Sequence, residues 1–417
     1  MIATVRPPRK LEGTITVPGD KSISHRALIL GSIAAGESHA RGLSAGADVQ
    51  STAACLRALG VDIEGSTIRG VGMDGLGASG APLDCGNSGT TMRLLAGLLA
   101  GQDFESELIG DESLSRRPMD RVVGPLVEMG AAAAWPPLKV GGKTPLRGIE
   151  HRAPVPSAQV KSAILLAGLY AEGTTSVTET VKTRDHTEVM LAAMGAHVRV
   201  EGLRVEVGRA ESLKPFDIHV PGDFSSAAFW IVAAVLAKSR VRLAGVGVNP
   251  TRIAFADTLN DLGCDIRLTN PRLEANEPVA DIVFGLTHFH GPVTIDGTRT
   301  AEMIDELPAL AVLATQMPGT SVIANASELR VKESDRLDAM AEGLSAMGAD
   351  ISVEEDGWII KGPRLLEGAR VDSRGDHRVA MALAIAGMFA DGKTEIEGAE
   401  CVEISYPGFF DDLEYLA

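Results

Sequence analysis

Seven segments of the chain gather side chains able to hold anions. GDKSISHR (19–26) sets Lys21, Ser22 and Arg26 within about one and a half helical turns. CGNSGTTMR (85–93) joins a polar loop containing Gly89 to Arg93, and SRRPMD (115–120) places Arg117 directly before Pro118. PSAQVK (156–161) supplies Ser157, Gln159 and Lys161, and TRDHTE (183–188) supplies Arg184 and His186. VKESDR (331–336) packs Lys332, Glu333, Asp335 and Arg336 together, and GDHR (375–378) adds Asp376, His377 and Arg378. Arginine presents a planar fork that matches carboxylate and phosphate. The set therefore suits a small ligand with several anionic groups. Taken one at a time the segments have plainer readings. Lys332–Arg336 reads as a solvated helix face with (i, i+3) pairs, Asn87–Thr90 as a helix cap, and His25, His186 and His377 as structural histidines. Their occurrence at the same place in successive repeats favours chemistry.

The repeats are visible in the elements that must carry these residues. One helix type recurs six times, opening on small or polar residues and continuing as an Ala/Leu-rich run. The openings are Lys21-Ser22, Asn87-Ser88, Ser157-Ala158, Phe224-Ser225, Glu306-Leu307 and His377-Arg378. A helix start carries unpaired N–H groups and the positive end of the macrodipole, so it favours an anion. A second helix type ends on a hydrophobic-Gly step at Gly60, Gly130, Gly195, Gly263 and Gly348, where glycine reads as a left-handed C-cap. Alternating stretches such as HVRVEGLRVEVG (197–208) and ISVEEDGWIIKG (351–362) follow, the pattern of half-buried strands. The chain thus reads as six units, each of two helices and several short strands, with the sixth cut short after Phe409. VPGD stands at 17–20 and again at 220–223, each time before a first-type helix, and marks two crossovers. The expected domains are 19–221 and, discontinuously, 1–18 with 222–417. The second of these is closed by an N-terminal strand around Thr14 to Val17. A repeat scaffold with a binding face is the alternative at this point, but the polar residues differ from one helix start to the next, which a scaffold does not need.

Composition narrows the class. The chain has 417 residues, enough for two or three domains, and its 45% hydrophobic and 23% charged content is that of a soluble globular protein. A fibre, a coiled coil and a disordered chain are excluded. The longest apolar run, Ala227 to Ala237, is far shorter than the roughly 20 residues a bilayer requires. Met1 to Lys10 shows no apolar secretory core, so the expected location is the cytoplasm. The net charge of −16 opposes binding to a nucleic-acid backbone, while a basic cluster can still sit locally on an acidic body. The four cysteines are far apart, with no CxxC, as in a reduced cytosolic protein. Gly142-Lys143-Thr144 lacks the first glycine of a phosphate loop, and no HExxH, GxSxG or EF-hand loop occurs. Neither a metal nor a cofactor is expected.

GDKSISHRAL (19–28), GNSGTTMRLL (86–95), RRP (116–118), PSAQVKSA (156–163), RVKESDR (330–336), GDHRVAMA (375–382) and SYPGFFDDL (405–413) resemble, in that order and over essentially the whole chain, the enolpyruvyl transferase family. Within it they are similar to the branch acting on shikimate 3-phosphate. The GDKS, SAQVK, RDHTE and Asn249-Pro250-Thr251-Arg252 motifs look like its class II members. The resemblance implies an α/β (α+β) fold of two similar domains, each of three βαβαββ-type repeats. It implies an inside-out α/β barrel with six helix N-termini facing an interdomain cleft. The partners it implies are two small molecules, shikimate 3-phosphate and phosphoenolpyruvate, with no nucleic acid and no membrane, and the expected state is a monomer.

By matching motifs, the resemblance assigns shikimate 3-phosphate to Lys21, Ser22, Arg26, Ser157, Ala158 through its backbone, Gln159, Asp305 and Lys332. It assigns phosphoenolpyruvate to Lys21, Gly89, Arg117, Gln159, Arg336 and Arg378. Glu333 is the implied acid and base at the methylene carbon, with Lys21 assisting, and Asp305 the implied base at the attacking hydroxyl. Three positions depart from the pattern. Ile404 stands where other members have a lysine for phosphoenolpyruvate, Thr183 where a serine often binds the shikimate phosphate, and Glu328 where some have asparagine. The sister enzyme acting on UDP-N-acetylglucosamine uses a cysteine before the Arg-Pro step, and Gly110 to Arg117 contains none. An RNA-end cyclase of similar architecture is opposed by the net charge.

Overall fold

The computed structural model describes residues 1–8, 10–141, 145–274 and 276–416. The Gly142-Lys143-Thr144 step lies outside the described residues. The chain divides into two compact units. The first comprises Met1–Pro18, Pro221–Leu273 and Pro278–Ala417, and the second Gly19–Val220 with Glu274–Glu277. Two details differ from the expected division. Pro221 goes with the first unit, where Gly222 bridges Val246. Glu274–Glu277 goes with the second, where the Glu277 carboxylate meets buried His186 at 2.7 Å.

In the second unit the strands form three four-stranded sheets of one pattern and a two-stranded one, Leu146–Arg147 with Ala171–Glu172. The first runs Leu83–Asp84, Glu105–Ile109, Leu138–Gly141, Ala132–Ala134 in spatial order. The next runs Glu150–Arg152, Thr174–Thr178, Arg204–Gly208, Val198–Glu201. The third runs Asp217–His219, Ala35–Arg41, Thr67–Val71, Asp62–Glu64. The leading pair of each is parallel and the other pairs antiparallel. A parallel pair needs a crossover and an antiparallel pair only a hairpin. In two sheets the crossover is an Ala/Leu-rich helix; in the third the leading strand comes from the far end of the unit.

The first unit repeats the pattern and closes it with the N-terminus. Glu12–Ile15 leads the sheet Arg240–Gly247, Glu277–Phe284, Ile266–Glu274 in parallel. Thr294–Ile295 leads Gly319–Ile323, Gly357–Gly362, Asp350–Glu354. The last sheet is Arg370–Asp372, Thr394–Glu397 and Ile2–Val5, the N-terminal strand pairing antiparallel from Ile2↔Glu397 to Val5↔Thr394. The strand expected around Thr14 to Val17 lies at Glu12–Ile15, ending ahead of Pro18, which has no N–H to donate.

Six helices form the centres of the two units: α1 Lys21–Ser32, α2 Gly89–Leu99, α3 Ala158–Gly168, α4 Phe224–Ala237, α5 Leu307–Ala314 and α6 His377–Gly387. They are apolar on nearly every side, as a helix enclosed by sheets and other helices must be. At Gly97 a Cβ would sit 2.2 Å from the Ala163 carbonyl oxygen, so α2 and α3 touch through a residue without a side chain. The outer helices Ala47–Ala58, Asp120–Glu128, His186–Ala193, Ala254–Asp261 and Arg336–Ala346 are followed by Gly60, Gly130, Gly195, Gly263 and Gly348. All five have φ between 87° and 98°, the left-handed region that ends a helix at little steric cost to glycine. Among the described residues no helix is long and apolar enough to cross a membrane. Cys55, Cys85, Cys264 and Cys401 are buried and free.

Candidate active site

Five of the six central helices start on a residue whose side chain caps them. Asp20, Ser88, Ser157, Asp223 and Asp376 each accept one or two backbone N–H groups of the helix they open. Capping fixes the direction of the first turn, and that turn carries the side chains singled out by their sequence.

In the second unit Lys21 leads α1, and its ammonium lies 3.0 Å from the Asp48 carboxylate. Asp48 is held in turn, because its carbonyl accepts from Thr91 Oγ1 of α2 at 3.3 Å. Ser22 Oγ accepts from Arg184 at 3.3 Å. Arg26 points inward: Nε donates to Thr187 Oγ1 at 2.6 Å, Nη1 to the Ser22 carbonyl at 2.9 Å and Nη2 to Ser162 Oγ at 2.7 Å. Burial brings the Arg26 pKa down to about 10, although the carboxylates of Glu188 and Asp20 oppose the fall. Its guanidinium thus braces the backbone of Ser22 from below.

Gly89, Gln159 and Arg117 meet at the starts of α2 and α3. Arg93 Nη1 donates to Gln159 Oε1 at 2.6 Å, and Gln159 Nε2 donates to Thr90 Oγ1 at 2.9 Å. Arg117 donates to Asn87 Oδ1 at 2.8 Å. A Cβ on Gly89 would stand 2.7 Å from Arg93 Nη1 and 3.3 Å from Arg117 Nη1. The helix start, two guanidinium groups and the Gln159 amide therefore converge, a combination whose chemistry suits an anion. Ser157, on its β-region cap, and Ala158 stand beside Gln159. Asp48, Thr90 and Arg93 were not assigned to substrate from sequence; Arg93 carried a signal as a basic residue, Thr90 only as part of a cap cluster, and Asp48 none.

In the first unit the cluster centres on Asp305 and Asp376. Lys332 Nζ, Arg336 Nη1 and Arg378 Nε lie 3.8, 3.5 and 3.9 Å from Asp305 Oδ1. Arg378 Nη1 also donates to the Asp305 carbonyl at 3.0 Å. Asp376 caps α6 with one oxygen and accepts Arg336 Nε at 2.8 Å and Ser334 at 3.2 Å with the other. Glu333 Oε2 accepts from Arg336 Nη2 at 2.5 Å. Burial disfavours charge on Arg336, but Asp376, Glu333 and Asp305 outweigh it and raise its pKa. Burial lowers the Lys332 pKa, with Arg336 adding to the fall and Asp305 opposing it. Chemically this is a carboxylate ringed by cations beside a second carboxylate, able to take a proton at one point and give one at another.

Of the departures, Ile404 ends the 3₁₀ turn Ala399–Ile404 and packs against the core of the first unit. Thr183 donates its hydroxyl to Glu179, which with Glu188 neutralises the buried Lys161 at 2.9 and 2.7 Å. The terminal motif serves packing: Trp230 Nε1 donates to Tyr406 at 3.0 Å, and Tyr406 donates to Asp412 at 2.6 Å, with Phe409 meeting the Tyr406 ring edge-on and the Trp230 ring at a tilt. Among the described residues no group of three or more His, Cys, Asp or Glu could hold a metal ion.

Comparison with known proteins agrees on one kinship. Residues 5–413 match the family described as EPSP synthase (3-phosphoshikimate 1-carboxyvinyltransferase). A 3-phosphoshikimate 1-carboxyvinyltransferase of Desulforudis audaxviator (strain MP104C) is 50% identical, covering 98% of each chain. Another, of Pelotomaculum thermopropionicum (strain DSM 13744 / JCM 10971 / SI), is 51% identical over 97% of this chain and 96% of its own. A solved EPSP synthase from Acinetobacter baumannii superposes with a TM-score of 0.88 at 42% identity, covering 100% of this chain and 98% of that one.

Proposed function

The chain belongs to the EPSP synthase family, and from that membership we propose how its residues divide the work. The reaction transfers the enolpyruvyl group of phosphoenolpyruvate to the 5-hydroxyl of shikimate 3-phosphate and releases phosphate, within aromatic amino acid biosynthesis. Each substrate carries a phosphate and a carboxylate, which accounts for the density of Lys and Arg.

The observation that carries the assignment is the Asp305 carboxylate with three cations within 4 Å, next to Glu333 on Arg336. Asp305 takes the proton of the 5-hydroxyl as its oxygen bonds to C2 of phosphoenolpyruvate. Glu333, assisted by Lys21, gives a proton to the methylene carbon, making a methyl group. In the second half a methyl proton returns to Glu333, the C2–O bond to phosphate breaks, and phosphate leaves with the electron pair and with the proton that Asp305 had taken, which restores both carboxylates. The balance closes without a cofactor. Phosphoenolpyruvate is held by Lys21, Gly89, Arg117, Gln159, Arg336 and Arg378, with Arg93 orienting Gln159. Shikimate 3-phosphate is held by Lys21, Ser22, Ser157, the Ala158 backbone, Gln159, Asp305 and Lys332, with Arg26 supporting Ser22. The charge that moves between phosphate and carboxylate is stabilised by the fixed arginines. The reading extends to an inside-out barrel in each unit with the six helix starts turned to one cleft, as the resemblance implies, and to a monomer in the cytoplasm.

Phosphate release from the two purified substrates tests the roles. Asp305→Ala and Lys21→Met are expected to fold as the parent does and to lose about 10²–10⁴ in kcat. Parental turnover in either variant overturns the role given to that residue.

A further inference from the structure

The segment Asn249-Pro250-Thr251-Arg252 has no part in the roles above, yet its Asn249 and Arg252 are buried and Arg252 reaches the start of α4. Asn249 shapes the turn: its Oδ1 accepts from Thr251 N and Oγ1, both at 2.9 Å, and its carbonyl accepts from Arg252 N at 2.8 Å. Arg252 is 2% exposed. Its Nη2 donates to Ser225 Oγ at 2.7 Å and lies 3.5 Å from Asp223 Oδ1 and 3.7 Å from Glu306 Oε1. Ser225 passes the contact on by donating its hydroxyl to Glu306 Oε1.

By position Arg252 is the counterpart of Arg117, Arg184 and Lys332. Each stands between the second strand of its repeat and the outer helix that follows. Those three cations lie among groups assigned to substrate. Arg252 is turned inward onto two carboxylates, so its charge serves the protein itself.

Glu306 is the second exception. At the other five central helices the cap side chain accepts amides of its own helix. Glu306 precedes α5 and caps nothing. Its side chain crosses to the start of α4, where it is fully enclosed, and its Oε2 has no hydrogen-bond partner among the described residues. A carboxylate so placed is costly unless charge and hydrogen bonds meet it, so Arg252 and Ser225 dictate where it sits. Glu306 directly follows Asp305, whose carbonyl is held by Arg378. The backbone that carries Asp305 is therefore pinned on both sides.

We propose that Arg252, Ser225 and Glu306 form a positioning clamp that aims Asp305 at the 5-hydroxyl of shikimate 3-phosphate. The clamp rests on the role given to Asp305 above. Its three members are buried and none is assigned to substrate, so their effect runs through Asp305.

Ser225→Ala removes the shared hydroxyl at almost constant volume, and Arg252→Lys keeps the charge but loses the fork. Each is expected to lower kcat about tenfold and to weaken shikimate 3-phosphate binding about threefold, with the phosphoenolpyruvate KM moved less than about twofold. In an Asp305→Asn background nothing is left to aim. There each change is expected to alter shikimate 3-phosphate affinity by less than about 1.5-fold, read by calorimetry, which needs no turnover. An equal loss in both backgrounds overturns the clamp, as does a lower melting temperature with kcat and affinity at parental values. If Asp305→Asn alone leaves turnover and affinity unchanged, the role of Asp305 falls first and the clamp with it.

Discussion

At Gly89 the missing side chain leaves room for cations. A methyl group there would press on the far ends of Arg93 and Arg117, which are flexible, and not on backbone. Gly89→Ala is therefore expected to fold with a parental melting temperature while displacing both guanidinium groups. The KM for phosphoenolpyruvate should rise about tenfold and kcat fall less than about threefold, checked by steady-state kinetics beside a thermal melt. Gly89 was legible from its motif, but the neighbour it spares was not: the sequence suggested the ligand, and the structure adds two arginines. The same holds for Asp48 beside Lys21, Gln159 beside Arg93, and Glu306 beside Arg252. Residue type and spacing reveal which groups can act. They do not reveal which of them meet across 27, 66 or more residues of chain.

The helices were legible because each announces itself by a cap, a long apolar run and, for the outer ones, a terminal glycine. Strands such as Leu83–Asp84 and Thr294–Ile295 were not, since two residues cannot display alternation. Their place is set by the partner strand and the helix that follows. Caps also differ in weight. Ser88 accepts one amide, from Thr91, at 3.1 Å. Asp376 caps α6 and also neutralises the enclosed Arg336. Ser88→Ala is expected to cost about 1 kcal/mol of stability. Asp376→Ala is expected to cost about 3–5 kcal/mol, because a buried guanidinium loses its principal counter-charge. Urea unfolding of the two variants under one set of conditions gives the comparison.

At the scale of the molecule, the chain passes between the two compact units at the VPGD segments and again on either side of Glu274–Glu277. The position of the first strand was beyond reach. Ile2–Val5 completes a sheet with residues near the opposite terminus, and the Met1 ammonium meets Glu400 at 2.6 Å. Nothing local encodes such a pairing. Removing residues 1–7 uncovers one edge of Thr394–Glu397. Hydrogen exchange at those amides is expected to quicken at least about tenfold, while the sheets of the second unit keep their parental protection.

That pairing also imposes an order on birth. The sheets described in the second unit are all drawn from residues 19–220, so they can be complete while the ribosome is still at work on later codons. The first unit cannot be finished then. Its opening strand must wait, unpartnered, until Thr394–Glu397 is translated, and its last sheet is sealed only after that strand has left the peptidyl tunnel. A nascent chain stalled before that point would carry one finished lobe and one open one, a target for chaperones during synthesis.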